Sequence, residues 1–169
     1  MKNSKYKILV LSDLKETTNS TLQNALKLSE IIDANIEFFH VKKRTDIVDT
    51  DSQLSAMRNI NKEYIVTEKK INNLITPIIG NEGISIQTSF AFGNIKNEIG
   101  NYINCYKPDI IVLGNRKRKV LSFVGDKISD FVLKSYHGTV IIASNDSSFY
   151  FEKELSFDFL KQERQVIQA

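Results

Sequence analysis

Short, wholly apolar runs alternate along this chain with longer stretches in which apolar residues recur every three or four positions. The first run, residues 7–12 (KILVLS), is apolar toward both sides of a pleat, which predicts a strand covered by helices on each face of a parallel sheet. The chain then turns through residues 13–18. Leu22, Ala25, Leu26, Ser29 and Ile32 follow at helical spacing and give the next helix one buried stripe. Residues 35–41 (NIEFFHV) read as a second strand, followed by a polar stretch over 42–52. From 52 to 79, Leu54, Met57, Tyr64, Ile71, Leu74, Ile75 and Ile78 predict a long helix. Asn61 and Glu68 interrupt its stripe, Pro77 is placed to kink its last turn, and Gly80 and Gly83 stop it.

Residues 84–90 (ISIQTSF) predict a third strand. Gly93 and Asn94 make a turn and an N-cap for a helix carrying Ile95, Ile99, Tyr102 and Ile103, which Pro108 ends. A fourth strand over 109–114 (DIIVLG), a helix over 126–136 and a fifth strand from Thr139 to Ser144 (TVIIAS) complete the pattern. Strands alternating with helices imply right-handed βαβ units, hence an open doubly wound α/β fold with helices on both faces of a parallel sheet. Ligands of such folds bind beyond the carboxyl ends of the strands, where strand order reverses. The segments that matter are then 13–18, 42–44, 91–94 and 114–125.

Composition narrows the function classes. At 169 residues, 41% hydrophobic and 25% charged, the chain is sized for one globular domain with an extension. A net charge of +3 is too small to argue for nucleic acid or an anionic membrane. Cys105 is the only cysteine, which excludes an internal disulfide and a cysteine metal cage, and it is expected to be a small buried apolar residue. The N-terminal residues run into the first strand with no apolar segment fit for a signal peptide or a membrane span, so the expectation is a cytoplasmic protein. His40 and His137 have no Ser, Cys or second His at metal or triad spacing, and both are expected to be structural. There is no Walker loop, no Gly-x-Ser-x-Gly elbow and no HExxH pair, so no catalytic centre and no metal site are expected.

Four segments carry a family resemblance. ILVLSDLKETT (8–18), FGNIKNEI (92–99), KPDIIVLGNRKRK (107–119) and GDKISDFVLKSYHGTVIIA (125–143) follow in an order and spacing that resemble a universal stress protein domain. The resemblance implies a five-stranded sheet in the order 3-2-1-4-5, homodimers, and in one branch of the family ATP bound at the strand ends. That branch has Gly, two residues, Gly, nine residues, then Gly followed by Ser or Thr, a loop whose backbone N–H groups approach phosphates. Here Gly114 matches the first glycine and Lys117 stands at the second. Gly125 resembles the third after an interval two residues short, and Asp126 replaces the hydroxyl residue, where it would repel a phosphate. Asp13 matches the acidic residue that contacts the adenine side. The candidate site is therefore a degenerate nucleotide or anion site made of Asp13, Val41, Gly93, Gly114, Arg116, Lys117 and Gly125. The basic runs 116–119 and 42–44 read either as solvated surface or as an anion site, and Asp13 reads either as a cap for the following helix or as a ligand contact.

The expected function is a dimeric regulatory or binding module with weak or no ATP binding and no resident cofactor; an ATP-dependent switch is the alternative. The domain is placed at residues 1–144 and an aromatic-rich extension at 145–169, where Phe149, Tyr150, Phe151, Phe157 and Phe159 supply five of the chain's 16 aromatic residues. The fifth strand would leave Val140, Ile141 and Ile142 on an unpaired sheet edge, so the homodimer is expected to join there. The extension is expected to pack on its own domain or on the dimer partner, with capture of another protein as the second use.

Overall fold

Each wholly apolar run is a strand. The computed structural model describes residues 6–47, 52–79, 85–114, 127–143 and 149–151. Its elements are β1 (Tyr6–Ser12), α1 (Thr18–Ile32), β2 (Ala34–Lys42), a 3-10 turn at Arg44–Asp46, α2 (Gln53–Ile79), β3 (Ile86–Phe92), α3 (Ile95–Tyr106), β4 (Ile110–Gly114), α4 (Lys127–Ser135), β5 (Thr139–Ala143) and β6 (Phe149–Phe151). The first five strands pair in parallel in the order β3-β2-β1-β4-β5, the order the resemblance implies.

Side chains alternate across each strand, and this divides the interior into two layers. Ile8, Val10, Ile36, Phe38, Ile110, Val112 and Ile141 face α1 and the end of α2, meeting Leu22, Ala25, Leu26, Ile71 and Ile75. Their neighbours Leu9, Leu11, Phe39, Val41, Ile111, Leu113 and Val140 face α3 and α4, meeting Ile99, Ile103 and Val132. The expected α1 stripe is buried at every position. At the start of α3, the Asn94 side chain accepts a hydrogen bond from the Asn97 N–H at 3.2 Å, which is the N-cap read from the sequence. That helix closes on Lys107 in the left-handed region (φ 51°), and Pro108 blocks its continuation.

Four expectations are corrected. Only Thr67, Ile71 and Ile75 of α2 are buried, while Leu54, Met57 and Tyr64 are exposed, because the helix outruns the sheet it packs on. The third strand lies two residues later than expected, at Ile86–Phe92, since pairing with β2 in register from Ile36↔Ile86 to Lys42↔Phe92 outweighs the local pattern. Cys105 is exposed, being off the Ile99–Ile103 stripe that α3 turns inward. Finally, the outer edge of β5, expected to lie unpaired in a single copy of the chain, carries β6. This short strand pairs antiparallel to β5 through Ile141↔Phe151, Ile142↔Tyr150 and Ala143↔Phe149. The first aromatic triplet of the extension thus joins its own sheet. Gly80, Gly83, Phe157 and Phe159 lie outside the described residues.

Candidate functional site

β1 is flanked by β2 on one side and β4 on the other, so chain order reverses at its carboxyl end, and a cleft opens there. One wall is apolar, made by Leu11, Phe39, Val41 and Leu113 from the strands and Ile95, Ile99 and Ile128 from the helices. The other carries hydroxyls, from Ser12 at the end of β1, from Thr17, Thr18 and Thr21 at the start of α1 and from Ser129 on α4, with Asp13 and Gly114 beside them. The cleft measures about 110 Å³, against roughly 300 to 1,000 Å³ for sites that enclose drug-sized ligands. Residues 115–126, which follow Gly114, are outside the described residues.

The turn from β1 into α1 is built by local polar contacts. Leu14 adopts the left-handed region (φ 58°), a conformation that costs an ordinary side chain on the order of 1 kcal/mol or more. Its N–H donates to Ser12 Oγ at 3.0 Å, and Ser12 Oγ lies 2.9 Å from Thr18 Oγ1. The side chain of Leu14 is buried in the α1 layer, so both ends of the residue are held. Asp13 Oδ1 accepts the Lys15 N–H at 3.2 Å, and Oδ2 is 3.8 Å from the Lys15 ammonium. Asp13 therefore shapes the turn and faces the cleft. It does not cap α1, whose N-cap is Thr17 without a side-chain cap bond.

Asp13, Val41 and Gly114 are brought together as expected. Gly93 stays in the β3–α3 turn outside the cleft lining, where its N–H donates to the Lys42 carbonyl and the Glu98 side chain covers its Cα. Arg116, Lys117 and Gly125 lie outside the described residues. Gly114 has a packing reason of its own: a Cβ there would stand 2.6 Å from Thr17 Oγ1 and 2.7 Å from Thr21 Oγ1. Sequence reasoning missed the hydroxyl wall, although the run TTNST at residues 17–21 signals it.

Next to the cleft, on the same sheet face, Glu37 is buried within β2. Its Oε1 accepts hydrogen bonds from Tyr102 Oη at 2.5 Å and Ser89 Oγ at 2.7 Å. Burial, then the hydrogen bond to Glu37, push the Tyr102 hydroxyl up to about 12, so it remains a donor at neutral pH. Burial and the Glu37 charge likewise raise Tyr106 to about 12. The Tyr102 ring stacks on Phe39, a cleft residue, with centroids 3.9 Å apart. This network holds the apolar wall in place, and its sequence signal was the lone charge inside NIEFFHV.

On the opposite face His40 Nδ1 lies 2.8 Å from the Ser12 carbonyl oxygen and ties β2 to the β1 terminus. A carbonyl only accepts, so the neutral ring carries its proton on Nδ1. Burial lowers the His40 pKa, outweighing the Ser12 carbonyl and Asp13, which raise it, while Lys70 and Lys42 lower it further. The unfolded chain then takes up this proton first. Stability is complete above the ordinary histidine value of about 6.5 and falls on acidification toward the lowered folded value, by at most about 1.4 kcal/mol per pH unit from this one group. His40→Asn keeps a donor for Ser12 without the titration. Urea midpoints at about pH 7.5 and 5.5 should fall more for the natural chain than for this variant; equal falls would clear His40 of the role.

Among the described residues no cluster of three or more His, Cys, Asp or Glu could hold a metal ion, and no helix is long and apolar enough to cross a membrane. No family model and no curated protein matches the chain. Solved structures do match, and they carry the same fold. Universal stress protein UspA from Lactobacillus plantarum superposes with a TM-score of 0.66 at 16% identity, over 83% of this chain and 98% of that one. A universal stress protein from Archaeoglobus fulgidus in complex with dAMP gives 0.57 at 14%, over 82% and 97%. One from Arabidopsis thaliana with AMP bound gives 0.53 at 15%, over 82% and 91%.

Proposed function

We propose that this chain is a binding module of the universal stress protein type, with no catalytic centre of its own, whose cleft takes a small, weakly held ligand and binds ATP poorly or not at all. The observation that carries the reading is the cleft itself. It sits at the strand-order reversal, has an apolar wall and a hydroxyl wall, and its one charged group among the described residues is the Asp13 carboxylate. Such a lining favours a neutral, heteroaromatic or polar-edged molecule over a polyanion.

Magnitudes support the weak-ATP reading. A charge-assisted hydrogen bond from a loop to phosphate is worth about 1.5 to 3 kcal/mol. Losing two, through Lys117 and Asp126, removes roughly 3 to 6 kcal/mol, or about two to four decades of affinity. Exposed ion pairs from the 116–119 run return only about 0.2 to 1 kcal/mol each. The second reading, an ATP-dependent switch, draws on the cleft's position and on the nucleotides bound by the dAMP and AMP complexes of similar fold. Calorimetry decides between them. ATP with Mg²⁺ should give a dissociation constant near or above about 1 mM, with adenosine no weaker than ATP, whereas a value below about 10 µM would establish the switch.

A further inference from the structure

We propose that the free edge of β3, with the flank of α2 beside it, is a second binding surface that takes an extended, basic peptide segment of another protein as an added strand. β3 ends the sheet on the side away from β6, and among the described residues no strand pairs with its outer edge. Its outward row of N–H and C=O groups is therefore open to a partner. Sheet edges are ordinarily blunted by charge, by proline or by brevity. β3 has none of these: its seven residues, IQTSFAF, include no charge and no proline. The opposite end of the sheet closes on the three residues of β6.

What lies beside the edge selects the partner. Leu54, Met57, Tyr64 and Ile65 are exposed, and with Glu68 and Asn72 they fall within an arc of about 100° on one flank of α2. That flank overlooks β3: Tyr64, Glu68 and Asn72 line, with Thr88 and Phe90, a groove of about 320 Å³. The Tyr64 and Phe90 rings meet at 48° with centroids 4.7 Å apart, forming an aromatic corner. Glu68 is the one charged group in this lining, and among the described residues it has no ion-pair partner, whereas Glu63 nearby is taken by Lys42. A carboxylate beside aromatic faces favours an ammonium or a guanidinium. The backbone edge thus sets the extended conformation of the occupant, and the groove sets its charge. Side chains of an added strand alternate, so every second one faces α2: a basic residue at Glu68, flanked by apolar residues against the exposed flank. The groove shares no residue with the cleft.

The test uses the full chain and a labelled peptide with blocked ends, Ser-Thr-Val-Thr-Lys-Thr-Phe-Thr-Ser, whose valine, lysine and phenylalanine share one face. Fluorescence anisotropy at low salt should give a dissociation constant on the order of 10 to 100 µM. Glutamate in place of the peptide's lysine should weaken binding roughly three- to tenfold, an exposed attraction turned into a repulsion. Glu68→Lys, at an exposed position that leaves the fold intact, should reverse that preference. The ladder is tested separately. Alternate N–H groups of a strand point to opposite sides, so N-methylation of one alternate set of peptide residues should abolish binding and methylation of the other set should be tolerated. Amides within 86–92 should exchange more slowly when the peptide is present. Equal affinity of the lysine and glutamate peptides, tolerance of both methylated sets, or no binding below about 1 mM overturns the proposal. It is overturned too if every amide of 86–92 is protected before the peptide is added, since the edge is then already taken by the chain itself or by a second copy.

Discussion

Gly114→Val is expected to lower stability by about 1 to 3 kcal/mol, the usual cost of overpacking, and to abolish whatever binds in the cleft. The clash is with the hydroxyls of Thr17 and Thr21. Thr21 is buried and its Oγ1 donates to the Thr17 carbonyl at 2.7 Å, so this hydroxyl cannot simply swing away. Relief requires the first turn of α1 to retreat from β4, and that turn supplies the hydroxyl wall. Gly100→Ala is the matched control: its Cβ would meet nothing nearer than the Phe131 ring at 3.5 Å. Inside α3 the loss of glycine's chain entropy should then be neutral or stabilising by up to about 1 kcal/mol. Urea denaturation of the two variants measures both effects, and equal midpoints would show that the β4–α1 approach is not the constraint.

Phe38→Ala should cost more, about 3 to 5 kcal/mol, as expected for a fully buried aromatic whose site cannot collapse. Phe38 has no exposed surface and lies in the layer that joins β1, β2 and β4 to α1 and α2. Against a typical total of about 5 to 15 kcal/mol, that loss brings the chain near its unfolding threshold. Pleating sets the cleft apart from it: Phe39, the next residue, faces the other way and lines the cleft. Ligand affinity of the folded Phe38→Ala protein should therefore match that of the natural chain. A changed affinity at constant folded fraction would mean that the two layers are mechanically coupled.

The doubly wound architecture was legible because KILVLS, DIIVLG and TVIIAS are apolar on both faces, a pattern that only a doubly covered strand requires. Asp13, Val41 and Gly114 could be placed together because topology alone brings strand ends to one edge of the sheet. Gly93 could not be separated from them by the same logic, since only tertiary packing shows that it belongs to a turn under Glu98. Leu54 and Met57 look buried in the pattern because spacing reports a face and says nothing of where the underlying sheet stops. β6 was missed because three aromatic residues in a row carry no alternation, and its pairing is decided by the vacant β5 edge rather than by its own residues.

The overhang of α2 makes one helix into two thermodynamic objects. At 27 residues it is about 40 Å long, and among the described residues its first 14 positions, 53–66, include no buried side chain. That half is tethered by the Lys42–Glu63 ion pair and the contact of Tyr64 with Phe90, and otherwise depends on helix propensity. The half that begins at Thr67 carries Ile71 and Ile75 into the core. Opening free energy must then rise along the helix, from near zero at Gln53 to close to the global value at Ile75. A protease, a chaperone or a partner helix arriving at this molecule meets its most easily opened backbone in the first half of α2, far from the cleft in sequence and reachable without unfolding the sheet.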